Sequence, residues 1–207
     1  MCAAEGKWSG ATRPHSMWCR RIGQTPSMDT PRIPGLEPRF SDSADDDPDC
    51  PFIKVRSQRN ADGTESHVWE KWVAFSVDPL YLALFARYDP GMIVRHHGHH
   101  SPHTLTVLAG SCRCGDVELG PGAHVELPLG ASFGPFVAGA QGVEFYEVMM
   151  GDPRSWSDDE RSMRRLLDER GVTPLPDPPI ELPAGLEDLR AVYARAEEQA
   201  AQGDAAG

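Results

Sequence analysis

Between residues 51 and 153 the chain is cut into short apolar segments by Gly, Pro and Asp, and this punctuation favours strands over helices. "HVWEKWVAFSV", "LYLALFARY", "GMIVRHH", "TLTVLAG", "VELGPG", "HVELPLG" and "VEFYEVMM" succeed one another, rich in Val, Leu and Phe, and none sustains helical spacing. Tight turns are signalled at Gly115-Asp116 and Pro121-Gly122. Strand signals recurring about every ten residues predict an all-β antiparallel sandwich or barrel.

The flanks differ. Residues 1–50 are rich in Pro, Ser, Gly and Asp, close on "SDSADDDPD", and read as a mostly disordered N-terminal tail. Met28 opens "MDTPRIPGLEPRF" and is an alternative start, which would make the residues before it a translation or cloning artefact. Residues 154–207 read as a helical extension. "SDDERSMRRLLDERG" begins with a capping box, Ser157 at the N-cap and Glu160 three residues on, and stops at Gly171. After the extended stretch "VTPLPDPPIELP", a second helix is expected with Leu186, Leu189, Val192 and Tyr193 along one stripe, packed on the barrel or on a second subunit.

A net charge of -11 repels a phosphate backbone, and no basic surface stands out, so a small molecule or a protein is the expected partner and nucleic acid is not. No apolar run reaches the roughly 18 residues of a membrane span, and the first thirty residues lack the apolar core of a secretion signal, which reads as cytoplasmic. The 5 cysteines are odd in number and scattered, apart from Cys112 and Cys114. With no second pair to complete a four-sulfur site, these two read as small residues packed on a sheet face.

"RHHGHHSPH", Arg95 to His103, holds five of the 8 histidines. A tag or metal sponge is terminal or structureless, whereas this tract lies between strand signals. Alternation along "GMIVRHHGH" puts Ile93, Arg95, His97 and His99 on one face and Met92, Val94 and His96 on the other. After a turn at Ser101-Pro102, the first face is expected to continue through His103, Leu105, Val107 and Ala109, so three imidazoles from two adjoining strands would converge inside the barrel. His96 and His100 would face solvent.

Gly91, His97, His99, His103 and Gly110 resemble the first cupin motif, G(X)5HXH(X)3-4E(X)6G, with every spacing kept and His103 at the Glu position. Gly122, Pro128 and Gly130 resemble the second motif, G(X)5PXG(X)2H(X)3N, with Phe133 at its His and Val137 at its Asn. The resemblance runs from roughly Tyr81 to Pro153. It implies a small antiparallel jelly-roll β-barrel over 51–153, holding one divalent metal with His97 and His99 as ligands. His103 joins them as a chemically competent substitute, and the fourth ligand position is Phe133.

A three-histidine centre leaves the 2+ charge uncompensated and favours a small anionic substrate, a preference that Arg95 would reinforce from the same strand face. Arg95 paired with a surface acid is the competing reading. Phe133 would make part of the substrate pocket apolar. His124, in phase with Glu126, is either an inward acid-base group or an exposed strand residue. Glu147 and Tyr146 alternate, so one of them points inward, and Glu147, if inside, is a base or a further carboxylate ligand.

Three functions follow. The first is a metal-dependent oxygenase or oxidoreductase, with Fe(II) placed ahead of Ni, Mn, Cu and Zn. The second is a redox-neutral isomerase, cyclase or lyase using His124 or Glu147 as base. The third is a non-catalytic binding or sensing cupin. Exposed strand edges and the habit of the family point to a homodimer.

Overall fold

The computed structural model describes residues 41–43, 50–77, 79–157 and 159–179. The expected second helix, with Leu186, Leu189, Val192 and Tyr193, and the alternative start at Met28 lie outside the described residues. The described strands are β1 (Ile53–Arg59), β2 (Glu65–Val77), β3 (Leu80–Tyr88), β4 (Ile93–Val94), β5 (Gly98–His100), β6 (His103–Cys114), β7 (Val117–Leu119), β8 (His124–Leu127), β9 (Phe136–Met149), β10 (Asp152–Trp156) and β11 (Thr173–Pro174). Helix α1 (Glu160–Arg170) lies between β10 and β11.

The pairing is antiparallel throughout, as short turns between successive strands require. The larger sheet runs β11-β1-β2-β3-β9-β6-β7, with β4 on β9 and β8 on β6, while β5 and β10 form a separate two-stranded sheet. The expected all-β jelly-roll barrel is what the chain forms.

Its core follows the period-2 pattern of the sequence. Leu82, Leu84, Ala86 and Tyr88 of β3 point inward, as do Val143, Phe145, Glu147 and Met149 of β9 and His103, Leu105 and Val107 of β6. Phe145 is fully excluded from solvent and packs edge-on against Tyr88, with ring centroids 5.1 Å apart. The expected face of β6 fails at Ala109, which is exposed because the register slips between Val107 and Ala109 and again between Gly110 and Cys112. Inward phase resumes at Cys112, a buried member of the apolar core, and Cys114 packs against the same cluster. Burial pushes the Cys112 thiol up to about 12, as expected of an inert packing residue.

"GMIVRHHGH" is two strands where the sequence suggested one. β4 pairs with β9 and β5 pairs with β10, so the chain changes sheets across residues 95–97. Ile93 and Val94 are consequently both buried. Gly98 makes the second pairing possible, since a Cβ there would stand 2.4 Å from the Ala131 carbonyl oxygen and 2.5 Å from the Trp156 ring.

Helix α1 begins two residues later than the capping box suggested. Asp159 is the N-cap, its carboxylate accepting from the Ser162 amide at 3.0 Å, because the Ser157 hydroxyl is committed to the His96 carbonyl at 2.8 Å. The helix stops at Gly171 as expected, in the left-handed conformation with φ of 63°. β11 then ties the returning chain to β1 through Arg59 and Gln58. At the other end, residues from the expected tail are held against the barrel. The Asp42 carbonyl accepts from the buried Lys71 ammonium at 3.0 Å, and the Ser43 carbonyl accepts from Arg87.

Candidate metal centre

The change of sheet brings His97 and His99 to one cavity of about 150 Å³, whose wall also includes Arg56, Glu70, Arg95 and Glu147. Both imidazoles are buried and held by their inner nitrogens: His97 Nδ1 donates to the Arg95 carbonyl and His99 Nδ1 to the Pro153 carbonyl, each at 2.8 Å. A carbonyl only accepts, so each ring carries its proton on Nδ1 and leaves the Nε2 lone pair, to which no described residue donates. Burial pushes the His97 imidazole down to about 3, with a backbone bond opposing and His99 adding to the shift. His99 is lowered by the same dominant cause. Two neutral imidazoles with Nδ1 pinned and Nε2 available are the form in which histidine binds a metal.

His103 lies deepest, 1% exposed, with its ring centroid 4.6 Å from that of His99. It comes from β6 while His99 comes from β5, and these strands are not hydrogen-bonded to one another. The expected convergence therefore holds across two sheets and not between adjoining strands. His103 Nε2 is 3.1 Å from Oε2 of Glu147, which stands on the neighbouring strand β9 with Leu105 as its register partner. His103 Nδ1 and Glu147 Oε1 are buried with no partner among the described residues. Glu147 is the inward member of the Tyr146-Glu147 pair, and Tyr146 is exposed. Of the two alternatives left open for that pair, a carboxylate from β9 is therefore the one beside the histidines.

No set of three or more His, Cys, Asp or Glu side chains among the described residues is spaced to grip a metal as the side chains lie. The donors fit in kind: two anchored imidazoles with open Nε2, plus a buried imidazole and carboxylate each carrying an orphaned polar atom. Exchange of the His103–Glu147 bond for metal bonds is the adjustment they require.

Two other candidates are placed elsewhere. His124 stands on β8 with its side chain 47% exposed, bonded through Nδ1 to the Thr106 hydroxyl at 2.8 Å and 3.9 Å from Glu126, away from the cavity. It is no acid-base group for this site, because the inward position of β8 belongs to Leu127. Phe133 does not line the cavity either. It pairs with His97 through the backbone and backs the rings of His97 and His103, centroids 5.0 and 5.4 Å away. It is a packing residue behind the imidazoles and not a wall facing substrate. Arg95 does line the cavity, with Nη2 donating to Ser155 at 3.0 Å. His100 is exposed and His96 half-buried.

Sequence reasoning missed Glu70 and Arg56. Glu70 faces the cavity from β2 and accepts from the Trp72 indole at 2.7 Å. Burial pushes its carboxyl up to about 7, partly offset by that bond and reinforced by Glu147. The only sequence signal was a charged residue breaking an apolar strand, and "WEKW" offers two of those side by side.

Gly91, Gly110, Gly122 and Gly130 all have φ between 69° and 87°; Gly91, Gly122 and Gly130 stand at turns and Gly110 at the register slip within β6, with the motif histidines buried between Gly91 and Gly110. The barrel is of the cupin type. No protein-family model matches the sequence, and no curated protein matches it. Among solved structures, this chain is similar to an acetylacetone dioxygenase from Acinetobacter johnsonii, at 12% identity over 60% of this chain and 81% of that one, TM-score 0.44. It is also similar to the polyketide cyclase RemF from Streptomyces resistomycificus, at 22% identity over 47% and 78%, TM-score 0.39. A third is a protein of unknown function with a cupin-like fold from Ralstonia eutropha, at 11% identity over 52% and 75%, TM-score 0.38. No helix among the described residues is long and apolar enough to cross a membrane.

Proposed function

We propose that this cupin is a metal-dependent enzyme, an Fe(II) oxygenase or oxidoreductase acting on a small anionic molecule. The observation that carries the reading is the pair of Nδ1-anchored, neutral imidazoles, His97 and His99, which share one cavity with Glu147, itself bonded to the buried His103. His97, His99 and Glu147 are two imidazoles and a carboxylate, the donor types of mononuclear iron oxygenases, and His103 is a further donor or the group that orients Glu147. A bound metal would supply Lewis acidity and, as iron, the redox chemistry of dioxygen activation. The chain's own residues exclude water with Leu84, Val94 and Met149, and hold an anion with Arg95. Glu70, poised near neutrality, takes or returns a proton at the cavity wall.

The placement of Glu70 also favours a second reading, a redox-neutral isomerase, cyclase or lyase in which the metal polarises the substrate and Glu70 is the base. The test begins with elemental analysis of the untagged full chain beside His97→Ala and Glu147→Gln. Near-stoichiometric transition metal in the wild type, lost in His97→Ala, is the expected result. Turnover of enolic, thiol or catecholic substrates that stops under argon supports the oxygenase. Equal turnover with Zn(II) and Fe(II) under argon supports the redox-neutral enzyme. A metal-free wild type after metal-replete expression overturns both and leaves a binding module.

A further inference from the structure

Arg95 lines more than the inner cavity. It also lines a groove of about 440 Å³ beneath α1, shared with Met163, Leu167 and Val172, and a smaller void of about 160 Å³ floored by Met92 and Ile93. Arg56 lines the inner cavity and that smaller void. Two guanidinium groups thus border both the histidine cavity and the smaller void, which in turn shares Met163 and Leu167 with the groove under the helix.

Neither is tightly paired, since Glu70 and Glu147 share the inner cavity with them but bond to Trp72 and His103 instead. Arg95 Nε is buried with no partner among the described residues, and its Nη2 meets only the neutral Ser155 hydroxyl. Arg56 reaches Asp177 at 3.5 Å, but that carboxylate is 58% exposed and the pair is the kind that water and salt readily loosen. The remaining acids on the groove, Glu160 and Asp168, are exposed on α1. Positive charge therefore sits at the inner end, whereas the outer end mixes Glu160 and Asp168 with Arg164, and Met163 and Leu167 lie between.

Size narrows the ligand further. An organic ligand ordinarily fills roughly 300 to 1,000 Å³. The inner cavity, at about 150 Å³, takes only a head group, whereas the groove, at about 440 Å³, takes a body. We infer that the site binds an amphiphilic carboxylic acid, its carboxylate held between Arg56 and Arg95 with the adjoining carbon facing the histidines, and its apolar body lying under α1. This rests on the inner cavity being the working site. A planar carboxylate satisfies the unpaired Arg95 Nε and displaces Asp177 from Arg56, giving forked charge-assisted bonds in place of one loose pair.

The test uses decanoate and its neutral counterpart decanamide with the metal-free full chain, by calorimetry and thermal shift. Decanoate is expected to bind at least tenfold more tightly than decanamide, and Arg56→Gln to erase that preference. Arg95→Gln is expected to do the same if it folds, and Arg56→Gln carries the test if it does not. Met163→Glu is expected to weaken both probes. His124→Ala, on β8 and away from the cavity, should leave decanoate binding intact. Should the wild type hold no metal while the Arg56-dependent preference persists, the enzyme reading falls and the acid site stands. Equal affinity for the two probes overturns the site, as does decanoate binding that survives Arg56→Gln and is lost in His97→Ala.

Discussion

His103 and Glu147 occupy positions on β6 and β9 whose inward neighbours are Leu105, Val107, Phe145 and Met149. A buried polar pair of this kind stabilises little, since the desolvation of both groups offsets their attraction, whereas removing one partner strands the other at a cost of about 3 to 5 kcal/mol. His103→Leu alone is therefore expected to lower the melting temperature, and His103→Leu with Glu147→Met to restore or exceed that of the wild type while metal content is lost. A double variant that stays as unstable as the single one would assign the pair a structural role. Glu70 makes a pH prediction for the metal-free protein. Its carboxyl has an ordinary value of 4.5 and about 7 in the folded chain. Below 4.5 both states are protonated; between 4.5 and about 7 the folded chain keeps a proton that the unfolded chain has released, so stability falls as pH rises through that window. Glu70→Gln is expected to flatten this slope in melts recorded from pH 5 to pH 8, and to melt above the wild type at the upper end.

Among the elements, the strand pattern and its turns were legible because both rest on local rules. Gly115-Asp116 and Pro121-Gly122 are the turns anticipated, and the inward run of β3 follows its apolar alternation. What local rules could not supply was the break of "GMIVRHHGH" between sheets, the slip of β6 after Val107 and the phase of "VEFYEVMM". In that last segment both faces are partly apolar, so Phe145 and Met149 against Tyr146 and Val148 left Glu147 ambiguous until β3 and β6 were seen on either side. Likewise Arg56 and Glu70 come from strands far from the histidine tract, and the one local signal, a charge within "WEKW", fits Lys71 as well as Glu70. Gly98→Ala tests the break, since the added Cβ would collide with backbone and an indole together. It is expected to destabilise by about 1 to 3 kcal/mol and to abolish metal binding by displacing both flanking histidines. Asp159→Ala, which only uncaps α1, is expected to cost about 1 kcal/mol and leave metal content unchanged.

For the whole molecule, a ligand that binds only the folded state stabilises it by mass action. Metal at a hundredfold excess over its dissociation constant is expected to add about 2.7 kcal/mol to unfolding, removed by a chelator and absent in His97→Ala. The sheet order places the cavity where chain segments distant in sequence meet: β1 and β2 contribute Arg56 and Glu70, β9 contributes Glu147, and β10 contributes the Pro153 carbonyl that orients His99. The motif that announces the site is contained in residues 91–110, but the site is not. A nascent chain carries all three motif histidines long before it carries Glu147 or Pro153, and such long-range pairings form late. During synthesis the clustered imidazoles therefore begin as an unshaped chelating ribbon, and the return of β9 and β10 gives them an orientation. If a metal is bound, the choice of that metal would on this view belong to the finished protein and not to the growing chain.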